Sequence, residues 1–170
     1  MNYSEFVRSK FKPGENIAAE MTPHKAVSLS LACLRLVEES DRMDAVKKYT
    51  IYNKDVYGIS THPFNTEAFK DFTLTPEQAE LLHAAIGIAG EAGELLDAVR
   101  KHVFDGQPLD RDNVIEELGY IGFFFQAMLY ALGVDRAYIE AMNQAKLSKR
   151  YEAGYSDKAA QERADKEGEE

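Results

Sequence analysis

Apolar positions recur every three or four residues through most of the chain and nowhere alternate with the period of two that marks a strand. The clearest segment opens at Thr75-Pro76-Glu77-Gln78, where Thr75 and Gln78 form a capping-box pattern and Pro76 suits a first helical turn. It predicts a helix to about Val103, stopped by Asp105-Gly106-Gln107-Pro108. The next helix is capped near Asp110 or Asp112 and runs to Leu132, with Gly133 at its C-terminal stop. A further one, capped by Asp135, reaches about Tyr151 before Gly154 breaks it. Ser156 opens a short last helix that frays into a charged tail, residues 166–170. Upstream, Thr22-Pro23 opens a helix carrying Val27, Leu31, Leu34 and Val37 on one side, and a second helical piece covers Asp44 to Tyr52. Residues 1–21 read as an irregular arm, and Gly58 to Thr73 as a loop packed down by its phenylalanines. There is no repeat of fixed period. Helices joined by short loops predict an all-α antiparallel bundle, one domain over residues 22–165.

On a wheel of about 100° per residue, Leu81, Ile88, Ala92, Leu95, Val99 and Val103 form one apolar arc. Glu91 lies at the edge of that arc and Glu94 just beyond it, on a flank shared with His83, Gly87, Ala98 and Lys101. In the following helix the arc is Val114, Leu118, Ile121, Phe125, Met128 and Leu132, with Glu117 at its edge and Tyr120 where Glu94 sits on the first. Antiparallel packing through the two arcs brings Glu91, Glu94 and Glu117 together beside the core. Like charges at 4 Å repel by roughly 4 kcal/mol at an effective dielectric of 20. A hard divalent cation removes that repulsion, and oxygen ligands suit Mg²⁺, with Mn²⁺ as a substitute. The alternative is that these glutamates are solvated surface charges.

Glycines inside helices sharpen the picture. Gly87, Gly90 and Gly93, and then Gly119 and Gly122, each cost about 1 kcal/mol relative to Ala. Close approach of a helix or of a ligand is the usual compensation. Asn143, Lys146 and Arg150 share one helical face, which reads either as a solvated basic stripe or as phosphate contacts.

Composition limits the function classes. The 170 residues carry a formal net charge of -9, which argues against gripping a nucleic-acid backbone but permits a phosphate ligand where metal supplies the positive charge. Cys33 is the single cysteine, so no disulfide forms within the chain, and it reads as a small buried hydrophobe. No apolar stretch is long enough to span a bilayer, and Met1 to Lys12 is polar and basic without a following apolar run. The expectation is a cytoplasmic protein.

Three segments carry a family likeness: Gly90-Glu91-Ala92-Gly93-Glu94-Leu95, Glu116-Glu117-Leu118-Gly119-Tyr120, and Asn143 through Lys146 to Arg150-Tyr151. Together they resemble the MazG-like all-α nucleoside triphosphate pyrophosphohydrolases over about residues 75–163. The resemblance implies a bundle completed as a homodimer or homotetramer. It implies cleavage between the α- and β-phosphates to a nucleoside monophosphate and pyrophosphate, with water as nucleophile. It implies Mg²⁺ held by Glu91, Glu94 and Glu117, and substrate contacts from Lys101, Asn143, Lys146, Arg150 and Tyr151. The family pattern has Asp where this chain has Tyr120, and a phenol with a reference pKa near 10 is a poor Mg²⁺ ligand.

Two other readings stand beside it. A di-metal oxidase bundle needs two Glu-x-x-His pairs. Glu80 with His83 is one, but His102 has Arg three residues before it. A non-catalytic relative would bind a nucleotide or a partner without cleaving it.

Overall fold

The computed structural model describes residues 2–54 and 70–166, and every regular element among them is helical. The elements are α1 (Tyr3–Lys10), α2 (Gly14–Ala19), α3 (Pro23–Thr50), α4 (Pro76–Phe104), α5 (Arg111–Leu132), α6 (Arg136–Arg150), α7 (Asp157–Glu162) and a 3-10 turn, Ala164–Lys166. Most of the loop expected over Gly58–Thr73 lies outside the described residues, and so do residues 167–170 of the charged tail. No single helix among the described residues is long and apolar enough to cross a membrane.

Local chemistry sets the helix ends. Gln78 N–H donates to Thr75 Oγ1 at 3.2 Å while Thr75 N–H donates to Gln78 Oε1 at 2.9 Å, so two orphan donors of α4 are satisfied reciprocally. Asp110, rather than Asp112, caps α5 by accepting from Asn113 N–H at 3.1 Å. Gly133 ends α5 in the left-handed region at φ 66°, where a Cβ is penalised. Asp135 and Ser156 cap α6 and α7.

Two expectations about the elements are corrected. The arm of residues 1–21 is not irregular: Asn2 and Glu5 form a capping box that starts α1, and α2 follows. The two pieces expected before Tyr52 are one continuous helix, α3. Its polar middle has no Gly or Pro to break it, and its charges pair along the helix, Arg42 with Glu39 at 3.3 Å and Lys47 with Asp44 at 2.8 Å. The chain falls into two compact units. One compact unit is His24–Gly133; the other joins Met1–Pro23 to Val134–Glu170.

The His24–Gly133 unit holds α3, α4 and α5. Gly87 of α4 faces Phe124 of α5, and farther along α4 Glu91 and Glu94 face Glu117, so the two helices run antiparallel. The buried face of α4 is not the expected arc. Val99 and Val103 are exposed, whereas Ala84, Gly87, Gly90 and Gly93 are buried. The smallest residues form the contact face because neighbours press onto it. A Cβ at Gly87 would overlap the Phe124 ring, and one at Gly93 would overlap the Ser40 side chain from α3. Ser40 Oγ donates to the Gly90 carbonyl at 3.1 Å, which ties α3 to α4. Gly119 and Gly122 make no such approach: a methyl added at either would meet nothing within 4 Å. Gly87→Ala should therefore destabilise by roughly 1–3 kcal/mol through overpacking. Gly122→Ala should stabilise by up to about 1 kcal/mol through helix propensity. Thermal unfolding of both variants checks this pair; a higher melting temperature for Gly87→Ala would contradict it.

The terminal unit is organised around α6. Phe6 of α1 is buried, and Tyr3 OH donates to Asn143 Oδ1 at 3.0 Å. Arg150 makes a bidentate pair with Asp165, Nε to Oδ1 at 2.5 Å and Nη2 to Oδ2 at 2.7 Å. The Arg150 guanidinium holds the Asp165 carboxyl down to about 2. Lys12 bridges Glu20 at 2.7 Å and Asp157 at 2.9 Å.

Candidate metal centre

Glu91 and Glu94 stand one turn apart on α4, and Glu117 stands on α5. One carboxylate oxygen from each lies within 4.8 Å of the others, a spacing that could hold a metal ion. No other such group of His, Cys, Asp or Glu occurs among the described residues. The three differ in environment. Glu94 is exposed, Glu91 is mostly covered, and Glu117 is only 4% exposed. Glu117 Oε1 accepts from Asn113 Nδ2 at 2.9 Å. Its Oε2 is buried with no hydrogen-bond partner, a costly state for a carboxylate oxygen.

The electrostatics register that cost. Burial pushes the Glu117 carboxyl up to about 7; the charge of Glu94 and the adjoining Glu91 carboxyl add to the rise, and Asn113 opposes it. Burial also raises Glu94, with the charges of Glu91 and Asp44 adding to it and Lys48 and Lys47 opposing. Negative charge outweighs positive in the cluster. An all-oxygen donor set with one unpartnered buried oxygen fits a hard cation such as Mg²⁺ or Mn²⁺.

Two residues from α3 complete the surroundings, and sequence reading missed both. Lys47 is buried, its Nζ 2.8 Å from Asp44 Oδ1 and 3.6 Å from Glu91 Oε1. Burial alone would lower the Lys47 ammonium, but the Asp44 hydrogen bond and the charges of Asp44 and Glu91 hold it above its ordinary value. Asp44 is also paired with Lys48. The available signal was the spacing of Asp44, Lys47 and Lys48, which puts all three on one helical face.

The cluster opens into two grooves of the same unit. One, of about 1000 Å³, is lined by Glu91, Glu94, Glu117, Lys47, Tyr120 and Phe123 among others. The other, of about 570 Å³, includes Glu94, Asp97, Lys101 and Asn113. Lys101 Nζ pairs with Asp97 Oδ2 at 2.6 Å. Tyr120 is 48% exposed, and its hydroxyl donates to Glu116 Oε1 at 3.4 Å. It borders the carboxylates without joining them.

The remaining expected substrate contacts, Asn143, Lys146, Arg150 and Tyr151, belong to the terminal unit. Asn143 accepts from Tyr3, and Arg150 is engaged by Asp165. Tyr151 is buried, with its carbonyl accepting from Lys10 Nζ at 2.5 Å. Lys146 is exposed. His83 is hydrogen-bonded through Nε2 to Tyr52 OH at 2.9 Å and packs against Phe124, so the Glu80–His83 pair does not contribute to the carboxylate group. Cys33 is half-buried on α3 and free.

Fold and site define a helical protein with a carboxylate group suited to a divalent cation. No family model, curated protein or solved structure matches the chain.

Proposed function

We propose that the chain is a Mg²⁺-dependent nucleoside triphosphate pyrophosphohydrolase of MazG-like type, with Mn²⁺ as a substitute metal. The observation that carries this reading is the partnerless, buried Oε2 of Glu117, set beside Glu91 and Glu94 on the facing helix. The motif resemblance supplies the reaction. Water adds to the α-phosphorus, the bond to the bridging oxygen of the β-phosphate breaks, and a nucleoside monophosphate, pyrophosphate and a proton leave. A divalent cation, when bound, supplies positive charge against the phosphate oxygens and acidifies the attacking water.

The protein's own residues do the rest. Glu91, Glu94 and Glu117 would hold the cation. Glu94 is exposed and lines both grooves, so it has access to the proton of the attacking water. Lys101 borders the smaller groove and is half-exposed, which leaves its ammonium able to turn from Asp97 to a phosphate. Asn143, Lys146, Arg150 and Tyr151, which the resemblance implies as substrate contacts, belong to the terminal unit, where Arg150 is engaged by Asp165 and Tyr151 is buried. Assay of pyrophosphate release over all common NTPs and dNTPs, with Mg²⁺ and with Mn²⁺, tests the reading; no release from any of them would refute it.

One observation favours a second reading, a non-catalytic nucleotide- or partner-binding relative. Tyr120 stands at the position of the expected fourth ligand, and its hydroxyl is directed to Glu116. Nucleotide binding without pyrophosphate release would select that reading.

A cytoplasmic homo-oligomer, a homodimer or homotetramer, belongs to the same proposal. Phe124 is buried, but Phe123 and Tyr130 on α5 are 66% and 84% exposed. A second copy would cover them. Light scattering is expected to give at least a dimer at micromolar concentration, and a monomer would contradict it.

A further inference from the structure

Lys47 is a charged side chain with only 4% of its surface exposed, set at the wall of the carboxylate groove. A buried ammonium is costly unless anions compensate it. Its hydrogen-bonded partner, Asp44, is also claimed by Lys48, so one carboxylate serves two cations. The second anion near Lys47 is Glu91, at 3.6 Å, beyond hydrogen-bond length. The Phe124 ring lies 5.6 Å from Nζ and fixes the ammonium from another side. Lys47 is thus held between Asp44 and a member of the carboxylate group. It neutralises that group only in part, because Glu117 Oε2 keeps no partner.

We infer that Lys47 is a positioning residue of the metal centre: its ammonium is a fixed internal cation that holds Glu91 in place and limits how tightly the carboxylates bind a divalent cation. The inference rests on the proposed metal-binding reading. Two cations sharing Glu91 repel each other across a few ångströms, and the ammonium, tethered on α3, cannot leave. Without divalent metal it restrains the repulsion among the carboxylates. With metal present it opposes the incoming charge, so the metal is exchangeable rather than permanently held. A lysine that served packing alone would stabilise the fold and leave metal affinity unchanged.

Mn²⁺ binding to wild type, Lys47→Met and Lys47→Arg, followed by the electron paramagnetic resonance of free Mn²⁺, tests this. Lys47→Met keeps the apolar stem and removes the charge. It is expected to bind Mn²⁺ at least about tenfold more tightly than wild type. It should also melt lower without metal and gain more in melting temperature on adding Mn²⁺. Lys47→Arg keeps the charge and should bind within about threefold of wild type. A folded Lys47→Met protein that binds Mn²⁺ no more tightly overturns the inference and leaves the metal reading standing. Absence of Mn²⁺ binding to wild type overturns both. Should Lys47→Met fail to fold even with Mn²⁺, the intact protein decides. The Lys47 ¹³Cε resonance, assigned by its loss in Lys47→Arg, must shift on saturation with Mg²⁺; an unmoved signal overturns the inference.

Discussion

The Glu117→Gln protein is expected to release pyrophosphate at least about 100-fold more slowly than wild type, equivalent to about 2.7 kcal/mol of barrier, and to melt higher when no metal is present. The two effects share one cause. Glu117 is buried, its Oε2 has no partner, and its carboxyl is pushed up to about 7 by burial and by its acidic neighbours. An amide of the same shape keeps the acceptor for Asn113 Nδ2 and replaces the partnerless oxygen with a donor facing Glu91 and Glu94. Metal-free stability should rise by roughly 1–2 kcal/mol. The same change deletes a hard ligand, so stabilisation by Mg²⁺ should largely vanish. Glu91→Ala should also abolish release while leaving the helical circular-dichroism signal intact. A Glu117→Gln protein with wild-type turnover would refute the catalytic assignment. One with an unchanged metal-free melting temperature would refute the electrostatic one.

Sequence carries the site further than it carries the packing. Glu91, Glu94 and Glu117 sit on two helices whose ends are set by local chemistry: Thr75 with Gln78, Asp110, and Gly133. Once those ends are fixed, helical spacing places the carboxylates. The buried face of α4 escapes a helical wheel because the wheel weighs side-chain apolarity, and Gly87, Gly90 and Gly93 have no side chain to weigh. They are buried because Phe124 and Ser40 occupy the space that a methyl at Gly87 or Gly93 would need, and Ser40 bonds the Gly90 carbonyl. The cost of glycine inside a helix points to the right face where hydropathy does not.

Tertiary contacts explain the other misses. Lys47 is one of many charges on a long helix, and a lysine there is ordinarily solvated; here it is buried, with its ammonium beside Glu91 of α4 and the Phe124 ring of α5. Between the two helical pieces expected before Tyr52, the polar run from Glu38 to Arg42 carries no backbone breaker, and α3 passes through it. Asn143, Lys146 and Arg150 share a face, as their spacing requires. The partner of Arg150 is Asp165, fifteen positions along the chain, which no local pattern discloses.

Tyr120→Asp is expected to bind Mn²⁺ more tightly than wild type and to raise turnover at least about tenfold, about 1.4 kcal/mol of barrier. Position 120 follows Glu117 by three residues, as Glu94 follows Glu91, so an acid there completes a second pair on the facing helix. Removing the phenol sacrifices little: Tyr120 is half-exposed and its one hydrogen bond, to Glu116, is a weak 3.4 Å. The new carboxylate joins Glu116, Glu117 and Glu91, so the metal-free protein should melt lower while the gain on adding Mn²⁺ grows. The opposite expectation follows if the Tyr120 ring stacks on the nucleobase in the groove it lines with Phe123. In that case Tyr120→Asp raises KM and lowers kcat/KM, and Tyr120→Phe is harmless. Steady-state kinetics of the three proteins against titrated Mg²⁺ and Mn²⁺ separate the two. A folded Tyr120→Asp protein that binds metal no better and turns over no faster would show that position 120 is not a missing ligand.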